Sequence, residues 1–347
     1  MKVSIITYHD EDNYGATLQA YATYKAVADL GHTPEIINLH MTHKQCLRTM
    51  LIFSLKRFRF NAFRRKVFKN CTRLYHSVDE LRANPPASDV YLVGSDQTWN
   101  PTISKADALA YFLDFGKSDT KRISYASSFG HTVWEDTEFA KKDKVKTLLS
   151  RFSRILVRES NAVDLVKNEF GLSSEQVLDP VLLSASYPEL AGSIEEKERL
   201  VVYKIKPDDE FYAKSVLVGH ELSLKVYSLG SLRQPKGIRT HYPERIEKWI
   251  SNIGSAKYVF TDSFHGTVLS LLYHRQFVVY VGDPKKMSRI SSLLNLVGLE
   301  NRICSQKDDI SKIISLLQEP IDYTVVDSIL GNERTKSLNL LKAAIEN

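Results

Sequence analysis

The chain has 347 residues, of which 43% are hydrophobic and 25% charged, enough for two domains of ordinary size with substantial cores. That balance excludes a disordered chain, a collagen-like repeat and a disulfide-stapled mini-scaffold; no apolar run reaches the ~18 residues of a transmembrane helix, and the N-terminal apolar stretch is too short for a signal peptide. The net charge of +6 is concentrated: residues 44–73 hold ten Lys and Arg and no acid, leaving 37 basic residues elsewhere against 41 acidic ones.

In chain order, residues 3–7 read as a short buried strand. A polar loop over 9–15 ends in Gly15. A helix over 16–30 carries Ala20, Tyr24 and Val27 at helical spacing and stops at Gly31. A second strand at 34–38 completes a βαβ unit, which implies a right-handed crossover in a parallel sheet. Strands follow at 88–93, 122–126, 152–157 and 176–178, with a helix at 159–170. The polar stretch 184–198, with Pro188 and Gly192, reads as a linker. Strands at 200–205, 224–228, 256–261 and 277–281 then alternate with helices at 209–221, 243–253 and 264–273, and two helices lie near 285–297 and 308–317. Two successive βα arrays predict an α/β protein of two Rossmann-like domains whose parallel sheets face a cleft. The boundaries are 1–184, with the basic insertion at 44–73, then 199–325, and a C-terminal helical segment at 326–347 packing back on the first domain.

Cys46, Cys71 and Cys304 are far apart and form no CxxC pair, so neither a disulfide framework nor a zinc site is expected, and a reducing cytoplasm is the natural location. No GxGxxG follows the first strand and no GxxxxGK[ST] occurs, which disfavours NAD and P-loop chemistry.

Ligands of open α/β sheets bind beyond the C-terminal ends of the strands. The polar residues at those ends are Asn13 and Tyr14; Ser95, Asp96, Gln97, Trp99 and Asn100; Ser127 and Ser128; Arg158, Glu159 and Asp179; Lys204 and Lys206; and the run Asp262, Ser263, Phe264, His265, Gly266, Thr267. This last run joins an apolar strand to an apolar helix, whose free N–H groups suit an anion. His265 beside it could donate a proton or hold a phosphate; the same residues also suit a plain cap and a satisfied structural histidine. Arg158 could grip a carboxylate or phosphate, or pair with a neighbouring acid. Trp99 with Asp96, Gln97 and Asn100 has the composition of a sugar-binding loop, or of a plain loop with a packed Trp. Residues 47–70 interleave Leu51, Ile52, Phe53, Leu55, Phe58, Phe60, Phe63 and Phe68 with the cations. That profile fits a packed insertion, an interfacial helix drawn to anionic lipid or, least well, a nucleic-acid patch.

The segments 13–22, 93–101, 124–130, 157–160, 177–180 and 261–267, in this order, resemble the polysaccharide pyruvyl transferase family. The resemblance implies a GT-B-like fold and a transferase that moves the enolpyruvyl-derived group of phosphoenolpyruvate onto two hydroxyls of a sugar in a bacterial polysaccharide or lipid-linked repeat unit, forming a pyruvate ketal. It implies His265, Asp96 and Asp262 as catalytic groups. Arg158, Ser263, Gly266, Thr267, Lys204 and Lys206 would lie on the donor side, and Asn13, Tyr14, Ser95, Gln97, Trp99, Asn100, Ser127 and Ser128 on the acceptor side. No metal or resident cofactor is expected, phosphoenolpyruvate being a substrate. Many family members carry an Arg two residues before the His, where this chain has Ser263. The partners implied are phosphoenolpyruvate, a saccharide, in lipid-linked form, and an anionic membrane surface at the inner face, with no nucleic acid. A nucleotide-sugar glycosyltransferase and a non-catalytic glycan-binding relative are the alternative readings.

Overall fold

The computed structural model describes residues 1–40, 50–206, 208–230, 236–282 and 287–347, with the backbone alone for residues 50–53 and 241. The expectations placed on Lys44, Cys46, Leu47 and Arg48 lie outside the described residues. The elements begin with β1 (Lys2–Ile6), α1 (Tyr14–Asp29), β2 (Thr33–Ile36), α2 (Met50–Val67), α3 (Val78–Ala83), β3 (Val90–Val93), α4 (Pro101–Ser104), β4 (Lys121–Ser127), α5 (Lys142–Leu149), β5 (Arg154–Val157), α6 (Ser160–Phe170) and β6 (Glu175–Gln176). They continue with α7 (Pro188–Ala191), β7 (Lys197–Tyr203), α8 (Asp209–Glu221), β8 (Lys225–Leu229), β9 (Arg239–His241), α9 (Ile246–Gly254), β10 (Ala256–Thr261), α10 (Phe264–Leu272), β11 (Gln276–Val281), α11 (Ser288–Leu296), β12 (Ile303–Ser305), α12 (Ile310–Gln318) and α13 (Tyr323–Glu346).

Two six-stranded sheets result, each wholly parallel among its paired strands. Their orders are β2-β1-β3-β4-β5-β6 and β12-β11-β10-β7-β8-β9. The chain divides into two compact units. One contains Met1–Arg48, Arg64–Ser184 and Gly331–Asn347; the other contains Thr49–Phe63 and Ala185–Leu330. Part of the basic segment therefore groups with the second unit, whereas the sequence reading put all of 44–73 with the first. Within the first unit the end of α13 is tied down by Leu178 N–H donating to Ser337 Oγ (3.0 Å) and by Arg334 Nε donating to Leu182 O (2.9 Å).

Strands β9 and β12 escape a sequence reading because Arg239–His241 and Ile303–Ser305 are short and carry no continuous apolar run. The expected linker at 184–198 is partly structured: α7 buries Leu190, Tyr187 before it is also buried, and β7 starts within the polar run.

Helix α2 sorts its residues by face. Phe60, Phe63, Val67 and Phe68 are buried, whereas Leu55 (44%) and Phe58 (70%) are exposed. Arg64 points inward and donates to His9 O (2.8 Å), Glu11 O (2.5 Å) and Asp12 Oδ1 (3.1 Å). Lys56 sits over the Tyr242 ring and Arg59 donates to Pro243 O. Of the readings of this segment, the packed insertion accounts for the inner face, where three Phe residues and one Arg serve the interior, and the outer face keeps exposed apolar and basic residues.

Each unit also hides an arginine on backbone carbonyls. Arg122 is buried, donates to Leu113 O, Thr120 O, Phe115 O and Lys117 O, and lies over the Tyr91 ring. Arg302 donates to Leu316 O and Glu319 O. Burial lowers both pKa values from the usual arginine range. Arg122→Met would leave four carbonyls without their donor, and with ~1–3 kcal/mol for each buried unsatisfied group before relaxation, a net loss of about 3 kcal/mol in urea unfolding is expected.

Candidate functional site

Parallel sheets turn all their carboxyl ends toward one edge, and the strand order reverses at one place in each sheet. In the first sheet this switch lies between β1 and β3; in the second it lies between β7 and β10.

At the first switch, Thr7 Oγ1 donates to Ser95 O (2.9 Å) and accepts from Gln19 Nε2 (2.9 Å), while Tyr8 hydroxyl donates to Gln97 O (3.0 Å). His9 is buried there, and burial pulls its pKa below the usual histidine value. Beside this lattice stands a buried charge cluster. Arg158 Nη1 donates to Asp179 Oδ2 at 3.0 Å; its Nε lies 3.7 Å from Glu159 Oε2 and its Nη2 lies 4.0 Å from Asp96 Oδ1. Ser95 donates to Asp179 (2.9 Å) and Ser128 to Glu159 (2.6 Å). Burial alone would lower the Arg158 pKa; the charges of Asp179, Glu159 and Asp96 outweigh it and raise it. Three carboxylates face one guanidinium, so the ionised cluster is formally anionic. It is better matched to hydroxyl donors than to an added anion, so of the two readings of Arg158 the structure shows the pairing with neighbouring acids.

Asp96 has φ +78°, in the left-handed region that a side chain rarely adopts, and its backbone is bonded to β4 through Ser128 N–H to Asp96 O (3.0 Å). Neighbouring it, Asn100 accepts from Thr102 N–H (3.1 Å), which fixes its amide so that Nδ2 faces Gln97 Oε1 (3.3 Å) and His131 Nε2 (3.2 Å). Gly130 is required here: its φ is +71°, and a Cβ would stand 2.0 Å from Gln97 Oε1.

One acceptor-side expectation, that on Trp99, is corrected, and others take local structural roles. Trp99 is fully buried, donates to Tyr111 O (2.8 Å) and stacks on Phe112, so its large apolar area serves the core and offers no face to a sugar. Ser127 is buried and bonds Val93 O and Gly94 O. Asn13 is the N-cap of α1, accepting from Ala16 N–H, and Tyr14 is buried in the first turn. The structure brings Ser95, Asp96, Ser128 and Arg158 together, and Gln97 with Asn100.

At the second switch, Thr261 Oγ1 donates to Tyr203 O (2.6 Å) and accepts from Ser263 N–H (3.0 Å). Ser263 caps α10 by accepting from Gly266 N–H (3.3 Å), and Thr267 donates back to Ser263 O (3.1 Å). A Cβ at Gly266 would stand 2.6 Å from Thr261 Oγ1. Ser263, Gly266 and Thr267, expected on the donor side, therefore build the helix start. His265 sits on that first turn, 7% exposed, its ring edge-on to Phe264 at 5.2 Å. Lys204 is paired with Asp262 (2.8 Å) and Asp208 (3.6 Å), and Lys206 is exposed. Among the described residues no three His, Cys, Asp or Glu are grouped to hold a metal ion.

Sequence reasoning missed His9, His131 and Asp208 as members of these clusters. Asp208 had a signal, since it caps α8 with bonds from Glu210 and Phe211 N–H; the two histidines had none.

The fold is that of a GT-B-like α/β protein, and solved structures support this class. Similar ones include UGT89C1 of Arabidopsis thaliana (TM-score 0.55, 10% identity, 99% of each chain covered). The UDP-GlcNAc 2-epimerase of Neisseria meningitidis gives 0.54 and 11%, over 98% of this chain and 99% of that one. Spinosyn rhamnosyltransferase SpnG gives 0.51 and 10%, over the whole of both chains. A family model, polysaccharide pyruvyl transferase, matches residues 13–284. The chain belongs to the polysaccharide pyruvyl transferase family, a family of transferases. None of the curated proteins matches it in sequence.

The left-handed backbone at Asp96 sets an order among its variants. Asn tolerates that conformation and keeps the side-chain shape, so Asp96→Asn should melt close to the parent. Asp96→Val, β-branched, should lose a further ~1–2 kcal/mol in denaturant titration.

Proposed function

We propose that the protein transfers the enolpyruvyl-derived group of phosphoenolpyruvate to two hydroxyls of a saccharide acceptor and closes a pyruvate ketal. Family membership supports transfer to a polysaccharide, and the observation that carries the donor chemistry is His265 on the first turn of α10 at the β7/β10 switch. The positive end of the helix dipole there suits the phosphate or carboxylate of the donor.

The reaction needs an acid, cationic or dipolar stabilisation of the donor, and a base for hydroxyl protons. In this reading His265 protonates the methylene carbon, making an oxocarbenium-like centre at C2. A sugar hydroxyl attacks and loses its proton, the C2–O bond to phosphate breaks, and a second hydroxyl closes the ketal. The second unit takes the donor, with Lys206 an available surface cation. The first takes the acceptor, with Asp96 as base and Gln97, Asn100 and Ser128 as hydroxyl partners. Arg158 would meet the donor only by exchanging one of its carboxylates for it, so its role here is to hold Asp179, Glu159 and Asp96 in place.

His265→Gln should fold normally and lose turnover by about 100-fold or more, the range of a lost general acid. Incubation of a synthetic glycoside with phosphoenolpyruvate is the assay, read by phosphate release and by a mass gain equal to pyruvate less water. Near-parental turnover in the variant would remove His265 from the mechanism. Two of the similar solved structures are complexes with UDP or UDP-GlcNAc, so calorimetric titration with UDP beside phosphoenolpyruvate separates a nucleotide-sugar enzyme from this reading.

No helix among the described residues is long and apolar enough to cross a membrane. An anionic membrane surface is proposed as a further partner, contacted through the outward residues of α2 and the chain after it: Leu55, Phe58, Arg65, Lys66 and Lys69, all exposed. Each surface cation near anionic lipid contributes ~1 kcal/mol, screened over ~8 Å at physiological salt. Phe58→Ser combined with Arg65→Gln, Lys66→Gln and Lys69→Gln should abolish flotation with phosphatidylglycerol vesicles at low salt. Absence of binding by the parent protein would assign these residues to a solvated face.

A further inference from the structure

We infer that Lys204 and Asp262 act as one positioning unit that fixes the start of α10, and with it His265, and that neither contacts the donor. The inference rests on the reading of His265 given above. Both residues lie at the β7/β10 switch, one at the end of each strand.

Lys204 is 7% exposed, and its Nζ donates to Asp262 Oδ2 at 2.8 Å, with Asp208 Oδ2 at 3.6 Å. The rings of Phe211 and Tyr280 stand 5.4 and 5.6 Å from the ammonium. A cation boxed by two carboxylates and two aromatic faces is already neutralised, and taking an anionic donor would cost it one of those partners. Asp262 is equally committed. Its second oxygen, Oδ1, accepts from Ile205 N–H (3.1 Å), and its own N–H donates to Tyr203 O (3.4 Å). Thr261 also donates to Tyr203 O, and Ser263, next in the chain, is the cap of α10. The turn 261–263 is thus sewn to the end of β7 by four bonds, and His265 is two residues beyond it. A carboxylate holding a lysine and a backbone N–H orients that turn and is poorly placed to collect a hydroxyl proton as well, so the pair sets geometry and leaves the chemistry to other groups.

The charges make the two partners unequal. Lys204→Met leaves Asp262 and Asp208 facing each other in a largely buried site, whereas Asp262→Asn leaves Lys204 with Asp208. Breaking a buried pair by removing one partner is more harmful than removing both. Lys204→Met should therefore lower the melting temperature more than Asp262→Asn, and the double variant should lose less than the two single losses combined. Displacement of His265 should lower kcat by about tenfold or more in either single variant while KM for phosphoenolpyruvate stays within about threefold, because poor alignment costs rate more than binding. The His265 ring resonance, assigned by comparison with His265→Gln, should shift in Lys204→Met and move back toward its parental position in the double variant.

A tenfold or larger rise in KM for phosphoenolpyruvate in Lys204→Met alone would make Lys204 a donor contact and overturn the inference. So would strictly additive melting losses, or an unmoved His265 resonance. Should the parent protein fail to turn over phosphoenolpyruvate, the proposed function falls, while the melting cycle and the resonance still decide whether the pair positions His265.

Discussion

A parallel ladder ends abruptly at its carboxyl edge, where backbone N–H and C=O groups lose their partners and must find others. Both residue clusters at the strand-order switches are organised by that requirement. In the first unit, Thr7 and Ser127 close the ends of β1, β3 and β4, and Ser95 with Arg158 ties Asp179 to β5. In the second, Thr261 and Asp262 close the ends of β7 and β10. Polar side chains that are costly to bury are stable here because each answers a backbone group or a charge. The same residues hold Asp96 and His265 in defined positions, so the satisfaction of strand ends and the preparation of the site are one process.

Charge divides the two units. Around Arg158 the excess is negative, and the polar neighbours Gln97, Asn100 and Ser128 are hydrogen-bonding groups suited to hydroxyls. Around His265 the field is that of a helix N-terminus, with Lys204 already balanced by Asp262 and Asp208. Under the proposed function an anionic donor and a polyhydroxyl acceptor would each meet the polarity that suits it. Ser263, where the family resemblance leads one to expect an Arg, caps α10 through Gly266 N–H, and Lys204 is engaged by Asp262 and Asp208.

Most of the architecture was legible along the chain. Apolar runs alternating with amphipathic helices pointed to ten of the twelve strands and to the parallel class, because burial on both faces of a parallel sheet imposes continuous apolar runs. Strands β9 and β12, three residues each at sheet edges, were not legible: neither Arg239–His241 nor Ile303–Ser305 carries a continuous apolar run. Motif order was legible too, since short segments such as 93–101 and 261–267 carry their residue types in sequence, and they were sufficient to indicate the family.

What the sequence could not determine was which way each side chain faces and what it meets. Trp99 reads equally as a sugar platform or a core residue until Phe112 and Tyr111 are seen around it. Arg158 reads equally as an anion grip or as the partner of a neighbouring acid until Asp179, distant by 21 positions, is found 3.0 Å away. Lys204 and Asp262, 58 positions apart, become one ion pair only because the switch in strand order sets β7 beside β10. Local composition fixes the elements, since hydrophobic period and capping act over a few residues. Charge balance and solvent access depend on which distant segments the sheet order brings together, and those were decided by the tertiary structure.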